Sequence, residues 1–133
     1  MRSWSATSTG SPAAAWPLLS RPTRWPEWAP HLGGAWGLGS PEVRTGAVGA
    51  ARLFGAVPVP ARIVAKRAGR SWTWRVGLGL VEMVHRVDPR TGGGCVVAID
   101  LRAPSALERT LALAYGPVIQ GTLDRLARRA AAA

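Results

Sequence analysis

Residues Val57–Arg102 read VPVPARIVAKR-AGR-SWTWRV-GLG-LVEMVHRVD-PRTGG-GCVVAIDL-R, and their alternation decides the fold. Val57, Val59, Ala61, Ile63 and Ala65 oppose Arg62 and Lys66; Trp72, Trp74 and Val76 oppose Ser71, Thr73 and Arg75. Val81, Met83, His85 and Val87 oppose Glu82, Arg86 and Asp88, while Cys95, Val97, Ile99 and Leu101 oppose Asp100 and Arg102. Period-two alternation of this kind specifies strands with one apolar and one charged face, hence an antiparallel sheet covered on one side only. Ala68-Gly69, Gly77–Gly79 and Pro89–Gly93 are short enough to close successive hairpins, so the stretch is expected to form a meander.

Upstream, Ala47–Phe54 and a weak segment near Trp36 extend the strand pattern, with Gly55-Ala56 as a further turn. Pro58 and Pro60 cannot donate to a ladder, so the sequence places them on an unpaired margin. Trp4–Thr9 alternates with small polar residues and reads as a short first strand. Ser11-Pro12 then opens a helix, with Ser as N-cap and Pro at the first turn; Pro17 keeps that helix short or kinked. Arg21–Pro30 carries three prolines and two tryptophans, a composition for a compact helical corner packed by its indoles.

The cover for the apolar face comes from the C-terminal segment. Leu107, Leu111, Tyr115, Val118, Ile119, Thr122, Leu123 and Leu126 recur at helical spacing behind Ser105-x-x-Glu108, which has the form of a capping box. Pro117, after Gly116, removes the donor to the Leu113 carbonyl, and a kink or local opening is expected there.

At 133 residues the chain fits a single domain, 1–133, and the 47% hydrophobic content exceeds that of a disordered tail. The longest apolar runs are too short to span a membrane, and the first 20 residues lack the unbroken apolar stretch of a signal peptide. With one cysteine, Cys95, and two histidines, no disulfide or recurring zinc pattern is available, and a cytoplasmic location is expected. The net charge is +10, from 17 basic and 7 acidic residues. All the basic residues but Lys66 are arginines, dispersed singly as a GC-rich coding sequence would scatter them; only Arg125, Arg128 and Arg129 cluster. The sequence therefore predicts no specific nucleic-acid binding despite its charge.

A first strand, a helical corner, a six-stranded meander and a long final helix describe an α+β helix-grip fold: a curved antiparallel β-sheet wrapped around a long C-terminal α-helix, with a cavity between them. Arg24-Trp25-Pro26-Glu27-Trp28-Ala29-Pro30, Ser71-Trp72-Thr73-Trp74-Arg75-Val76 and Met83-Val84-His85-Arg86-Val87 resemble the polyketide cyclase/dehydrase branch of the bacterial START-like (SRPBCC) superfamily. The likeness runs from about Trp4 to Arg129, and Pro17 departs from the usual first helix. It implies a deep apolar cavity and binding of lipids, polyketides, isoprenoids or aromatic hormones. Some such proteins cyclise or dehydrate a polyketide, with no catalytic motif shared across the superfamily.

The residues themselves leave the chemistry open. Glu82, Asp88 and Asp100 all fall on the charged face, so no inward carboxylate pair is available for acid/base work. Gly92-Gly93-Gly94 follows Asp88-Pro89 in a hairpin and reads as a turn, not a phosphate loop. His85 is the titratable residue that alternation places on the covered face, beside Trp72, Trp74 and Met83, with Tyr115 across from it on the helix. It is a satisfied core histidine, a ligand contact or a general base. Trp72 and Trp74 are likewise core filler or a ligand platform.

The expected function is binding of a hydrophobic small molecule, with no cofactor and no metal. Ile63, Trp72, Trp74, Met83, Val97, Tyr115 and Ile119 would form the walls, and His85 the polar anchor. The alternative is an enzyme of polyketide cyclase or dehydratase type using His85 and Tyr115 as proton carriers. A third reading, an RNA- or ribosome-binding module, rests on the arginines alone. A monomer or weak dimer is expected.

Overall fold

The computed structural model describes residues 1–54 and 57–133; the expected turn at Gly55-Ala56 lies outside them. In chain order the elements are β1 (Arg2–Ser8), α1 (Pro12–Ser20), a 3₁₀ turn (Pro22–Glu27), β2 (Leu32–Trp36), β3 (Val48–Leu53) and β4 (Val57–Arg67). These are followed by β5 (Ser71–Val76), β6 (Val81–Pro89), β7 (Cys95–Arg102) and α2 (Ser105–Ala132). The strands form one antiparallel sheet in the order β1-β7-β6-β5-β4-β3-β2. The chain thus meanders from β2 to β7, and β1 closes the far side against β7, with Arg2 opposite Leu101 and Ser8 opposite Cys95.

The inner face is buried as the alternation requires. Trp72, Ile63, Val87, Cys95, Val97 and Leu101 are essentially inaccessible, and α2 meets them with Ile119, Thr122, Leu123 and Leu126. The outer face carries the ion pairs: Arg86 with Asp88 and with Asp100 (3.0 Å), and Arg75 with Glu82 (3.8 Å). In β4 the simple alternation fails. A bulge between Ile63 and Ala65 pairs Ala65 with Thr73 and Lys66 with Trp72, so past this point Lys66, not Ala65, shares a face with the tryptophans. Its ammonium is held 2.9 Å from Glu42, which also accepts the Trp16 indole N–H at 3.2 Å.

Pro58 and Pro60 pair only with β3, opposite Arg52 and Ala50. The ladder to β5 begins at Ala61, beyond both prolines, so β4 has an open margin where it has no donors to offer.

α1 starts as expected, the Ser11 hydroxyl accepting from the Ala14 amide at 3.1 Å, and it continues through Pro17 to Ser20. Pro17 falls in the second turn of a nine-residue helix, where few intrahelical bonds remain to be lost. Two expectations for α2 are corrected. Ser105 is the first helical residue, not the cap, and Pro104 takes the cap position without a side-chain bond. Glu108 accepts not from the Ser105 amide, as the box would have it, but from the Ala103 amide at 3.3 Å. α2 also runs through Pro117 without interruption. Pro117 and Leu113 both lie on the solvent side, so the carbonyl that loses its partner faces water, where the loss is cheapest.

α2 packs on β1, β7 and α1. Ser8 Oγ donates to the Ala127 carbonyl (2.7 Å) and Gln120 Nε2 to the Ser5 carbonyl (2.9 Å). Gly116 has its place here: a Cβ added to it would stand 3.2 Å from the Trp4 indole. No helix among the described residues is long and apolar enough to cross a membrane.

Candidate ligand cavity

The last turn of a helix leaves four carbonyls without intrahelical donors. The last turn of α1 contains no glycine or basic residue. The Pro17 carbonyl takes the Arg21 amide and the Ser20 carbonyl the Val43 amide. Trp28 Nε1 donates to the Leu18 carbonyl (2.8 Å), while Trp25 Nε1 (2.9 Å) and Trp72 Nε1 (3.0 Å) both donate to that of Leu19. Three indoles thereby fasten the helical corner to the end of α1 and to the centre of the sheet.

The same bonds orient a set of rings. Trp25 stacks on Trp72 with centroids 5.3 Å apart, and Trp72 stacks on its cross-strand partner His85 at 3.8 Å. Trp74 stands edge-on to all three, at 5.6 Å from Trp25 and 5.4 Å from both Trp72 and His85. These rings bound a cavity of about 290 Å³ between sheet and α2. The sheet supplies Ala51, Leu53, Val59, Trp72, Trp74, Val76, Val81, Met83, His85, Ile99 and Leu101. The corner adds Trp25, Trp28, Ala29, His31 and Leu32, and α2 adds Leu111, Tyr115, Ile119 and Thr122. None of the lining residues carries a formal charge at neutral pH, although the chain as a whole carries +10.

Of the residues expected to form the walls, Trp72, Trp74, Met83, His85, Tyr115 and Ile119 border this cavity. Ile63 and Val97 do not. Both are wholly buried on the inner face, but they pack as core away from the cavity. Alternation fixes which face a residue takes, not where along the sheet the space opens.

His85 and Tyr115, expected to face one another, have different partners. The Tyr115 hydroxyl is hydrogen-bonded to His31 Nε2, and the two rings meet edge to face at 5.5 Å. Burial pushes the Tyr115 phenol up to about 12. Burial, with Arg125 adding its charge, lowers His31. The sequence analysis gave His31 no role. Its one signal is its position directly after the Trp-Pro corner, immediately before β2.

His85 is neutral: burial lowers it to about 3, outweighing the nearby backbone of Trp72 and Met83 and the charge of Asp100. Its Nδ1 and the Trp74 Nε1 are the buried side-chain polar atoms that have no hydrogen-bond partner among the described residues. Both nitrogens are closed off from the cavity by the packing of the rings, so the polar atoms that the cavity presents come from other lining residues such as Tyr115, His31 and Thr122. No group of three or more His, Cys, Asp or Glu side chains gathers among the described residues.

The sequence pattern described as polyketide cyclase / dehydrase and lipid transport matches residues 3–131. Among solved structures, a Thermobifida fusca protein superposes with a TM-score of 0.76 at 18% identity, over 96% of this chain and 91% of that one. The protein XoxI from Bacillus cereus gives 0.74 at 14% identity, over 96% and 92%. A point mutant of norcoclaurine synthase from Thalictrum, in complex with a transition-state analogue, gives 0.65 at 11% identity, over 97% and 92%. No curated protein matches the chain.

Proposed function

The chain belongs to the polyketide cyclase / dehydrase and lipid transport family, and from that premise we propose that it binds a hydrophobic small molecule of lipid, polyketide or isoprenoid type in the cavity between sheet and α2. One observation carries the proposal: an apolar space of about 290 Å³ between sheet and α2, bounded by the tryptophan cluster on one side and the hydrogen-bonded Tyr115 and His31 on the other. Such a space approaches the lower end of small-molecule pockets and shares their composition, apolar walls with a few convergent polar groups.

Turnover of a polyketide by His85 and Tyr115 has less support. A histidine at about 3 is a weak base at neutral pH, and the Tyr115 hydroxyl is engaged by His31. The arginine-based reading also loses ground, since Arg24, Arg75, Arg86 and Arg129 are each tied to a carboxylate.

The experiment is extraction and native mass spectrometry of the purified protein, followed by titration of the stripped protein with the recovered molecule. Binding is expected to change tryptophan fluorescence and to raise Tm by several degrees at saturating ligand. Trp74→Ala should weaken both effects, and the outward Arg62→Ala should leave them intact. Absence of any co-purifying molecule, together with no response to a panel of apolar ligands, would refute the proposal.

A further inference from the structure

The two ends of the sheet differ in what their hairpins present. At one end the hairpins carry Arg67, Arg70, Arg90 and Thr91, all exposed. At the other they carry Phe54 and Val57, between β3 and β4, and Leu78 and Leu80, between β5 and β6; these four are half of the exposed large apolar residues among the described residues. The register sets the two tips side by side. Val76 faces Ala61 on one neighbour and Val81 on the other, so the β5–β6 turn stands beyond Ala61, next to the Val57–Pro60 stretch of β4 that has no partner in β5. Leu78 is 95% exposed and, at φ 60°, holds a backbone conformation that favours glycine or asparagine; Phe54 does the same at φ 51°. Leu78 and Gly79 are the central pair of a turn closed by the Leu80 amide on the Gly77 carbonyl (3.2 Å), both at positive φ, where Asn-Gly is the preferred pair. A large apolar side chain held in water at such a position serves neither the turn nor the core.

The outer face behind these tips supplies cations. Arg62 and Arg75 stand directly opposite each other on β4 and β5, a like-charge pair that costs the sheet stability unless an anion lies between them. With Pro60 and Leu78 they line one groove on that face; Arg75 is 3.8 Å from Glu82, and Arg62 has no carboxylate partner among the described residues. We propose that this end of the molecule docks on a bilayer containing anionic lipid, with Phe54, Val57, Leu78 and Leu80 entering the apolar layer while Arg62 and Arg75 meet headgroup phosphates. Apolar insertion combined with attraction of cations to an anionic surface is what holds peripheral proteins on membranes. A fluid layer closes around each narrow turn, whereas the four side chains offer less than the roughly 800 Å² per partner of a standard protein interface. Leu53, Val59, Val76 and Val81, beside the tips in sequence, line the cavity, so the docked end is the one that the cavity adjoins. Docking and cavity occupancy are separate properties, and either can fail alone.

The test is co-sedimentation with phosphatidylcholine vesicles, with and without about one third phosphatidylglycerol. Anionic vesicles should bind the wild-type protein at least about tenfold more tightly than neutral ones. Phe54→Asn combined with Leu78→Asn should weaken that binding by at least about tenfold while Tm holds or rises, since asparagine suits the left-handed backbone. Arg62→Gln combined with Arg75→Gln should bring the preference for anionic vesicles below about threefold. With a paramagnetic lipid in the vesicles, amide resonances of Gly77–Leu80 should broaden before those of Gly69 and Gly92 at the opposite end; this arm needs no variant. No binding to anionic vesicles, equal binding to neutral ones, undiminished binding by the asparagine variant, or broadening first at Gly69 and Gly92 would overturn the proposal. Self-association that the asparagine variant abolishes, without vesicle binding, would overturn it too and assign the tips to a second copy of this chain.

Discussion

Trp72 joins three structures at once: its N–H closes the end of α1, and its two faces carry Trp25 and His85. Trp72→Phe keeps a ring in the stack but leaves the Leu19 carbonyl with the Trp25 donor alone, and should cost about 1 kcal/mol in urea denaturation. Trp72→Ala opens a void as well and should cost about 3 to 5 kcal/mol. His85 gives the molecule a pH dependence whose sign follows from its lowered value. The unfolded chain takes up a proton near the ordinary histidine value and the folded chain only near 3, so stability is full above about pH 6.5 and is lost as the pH falls below it, by up to about 1.4 kcal/mol per pH unit. Glu27, lowered to about 2 first by its bond to Arg24 and then by Arg129, adds a second loss below the ordinary carboxylate range. Chemical denaturation between about pH 5 and 7, above the carboxylate window, should therefore show a shallower slope in His85→Phe, with a residue of slope left by His31.

Pro117 sits in the exposed face of α2, and its ring deprives the Leu113 carbonyl of a donor without disturbing the buried side. Pro117→Ala restores that donor and should raise stability by about 1 to 3 kcal/mol, measured by urea denaturation. A smaller or opposite change would mean that the proline ring itself contributes to the seating of α2 on the sheet. Strand extents were legible in the sequence because a pattern of period two, cut by glycines, has few other solutions; β4 and β5 have the bounds that the alternation gives. The bulge after Ile63 was not legible, since Val64, Ala65 and Lys66 contain no glycine or proline to mark it, and its inward lysine is explained only by Glu42, more than 20 residues upstream. The start of α2 was misread for a related reason: Ser105 and Glu108 have the spacing of a box, but Pro104 already holds the extended conformation that a cap requires (φ −52°, ψ 144°). In the cavity, inward residues were legible by parity, whereas the Tyr115–His31 pair joins positions 84 residues apart and belongs to the packing of α2 on the corner.

On the scale of the whole molecule, the charge of +10 is the excess that remains after every acidic residue is counted; it is dispersed along the chain, and the cavity lining contains none of it. Association with RNA should accordingly be weak and fade as salt approaches physiological strength, without sequence preference; nanomolar binding under those conditions would show a basic surface that the dispersed arginines do not account for. The sheet order also has a consequence in time. Strands β2 to β7 each pair with the next along the chain, but β1 pairs with β7, so Arg2 must find Leu101. Such a closure carries a loop-ordering cost that adjacent hairpins avoid. On the ribosome, β1 emerges well before its partner β7 and waits for it, and the packing of α2 on β1 comes later still. In pulse-labelled hydrogen exchange during refolding, amides of β5 and β6 should become protected before those of β1. The cavity would then be the last part of the molecule to acquire its roof, formed only when the two ends of the chain meet.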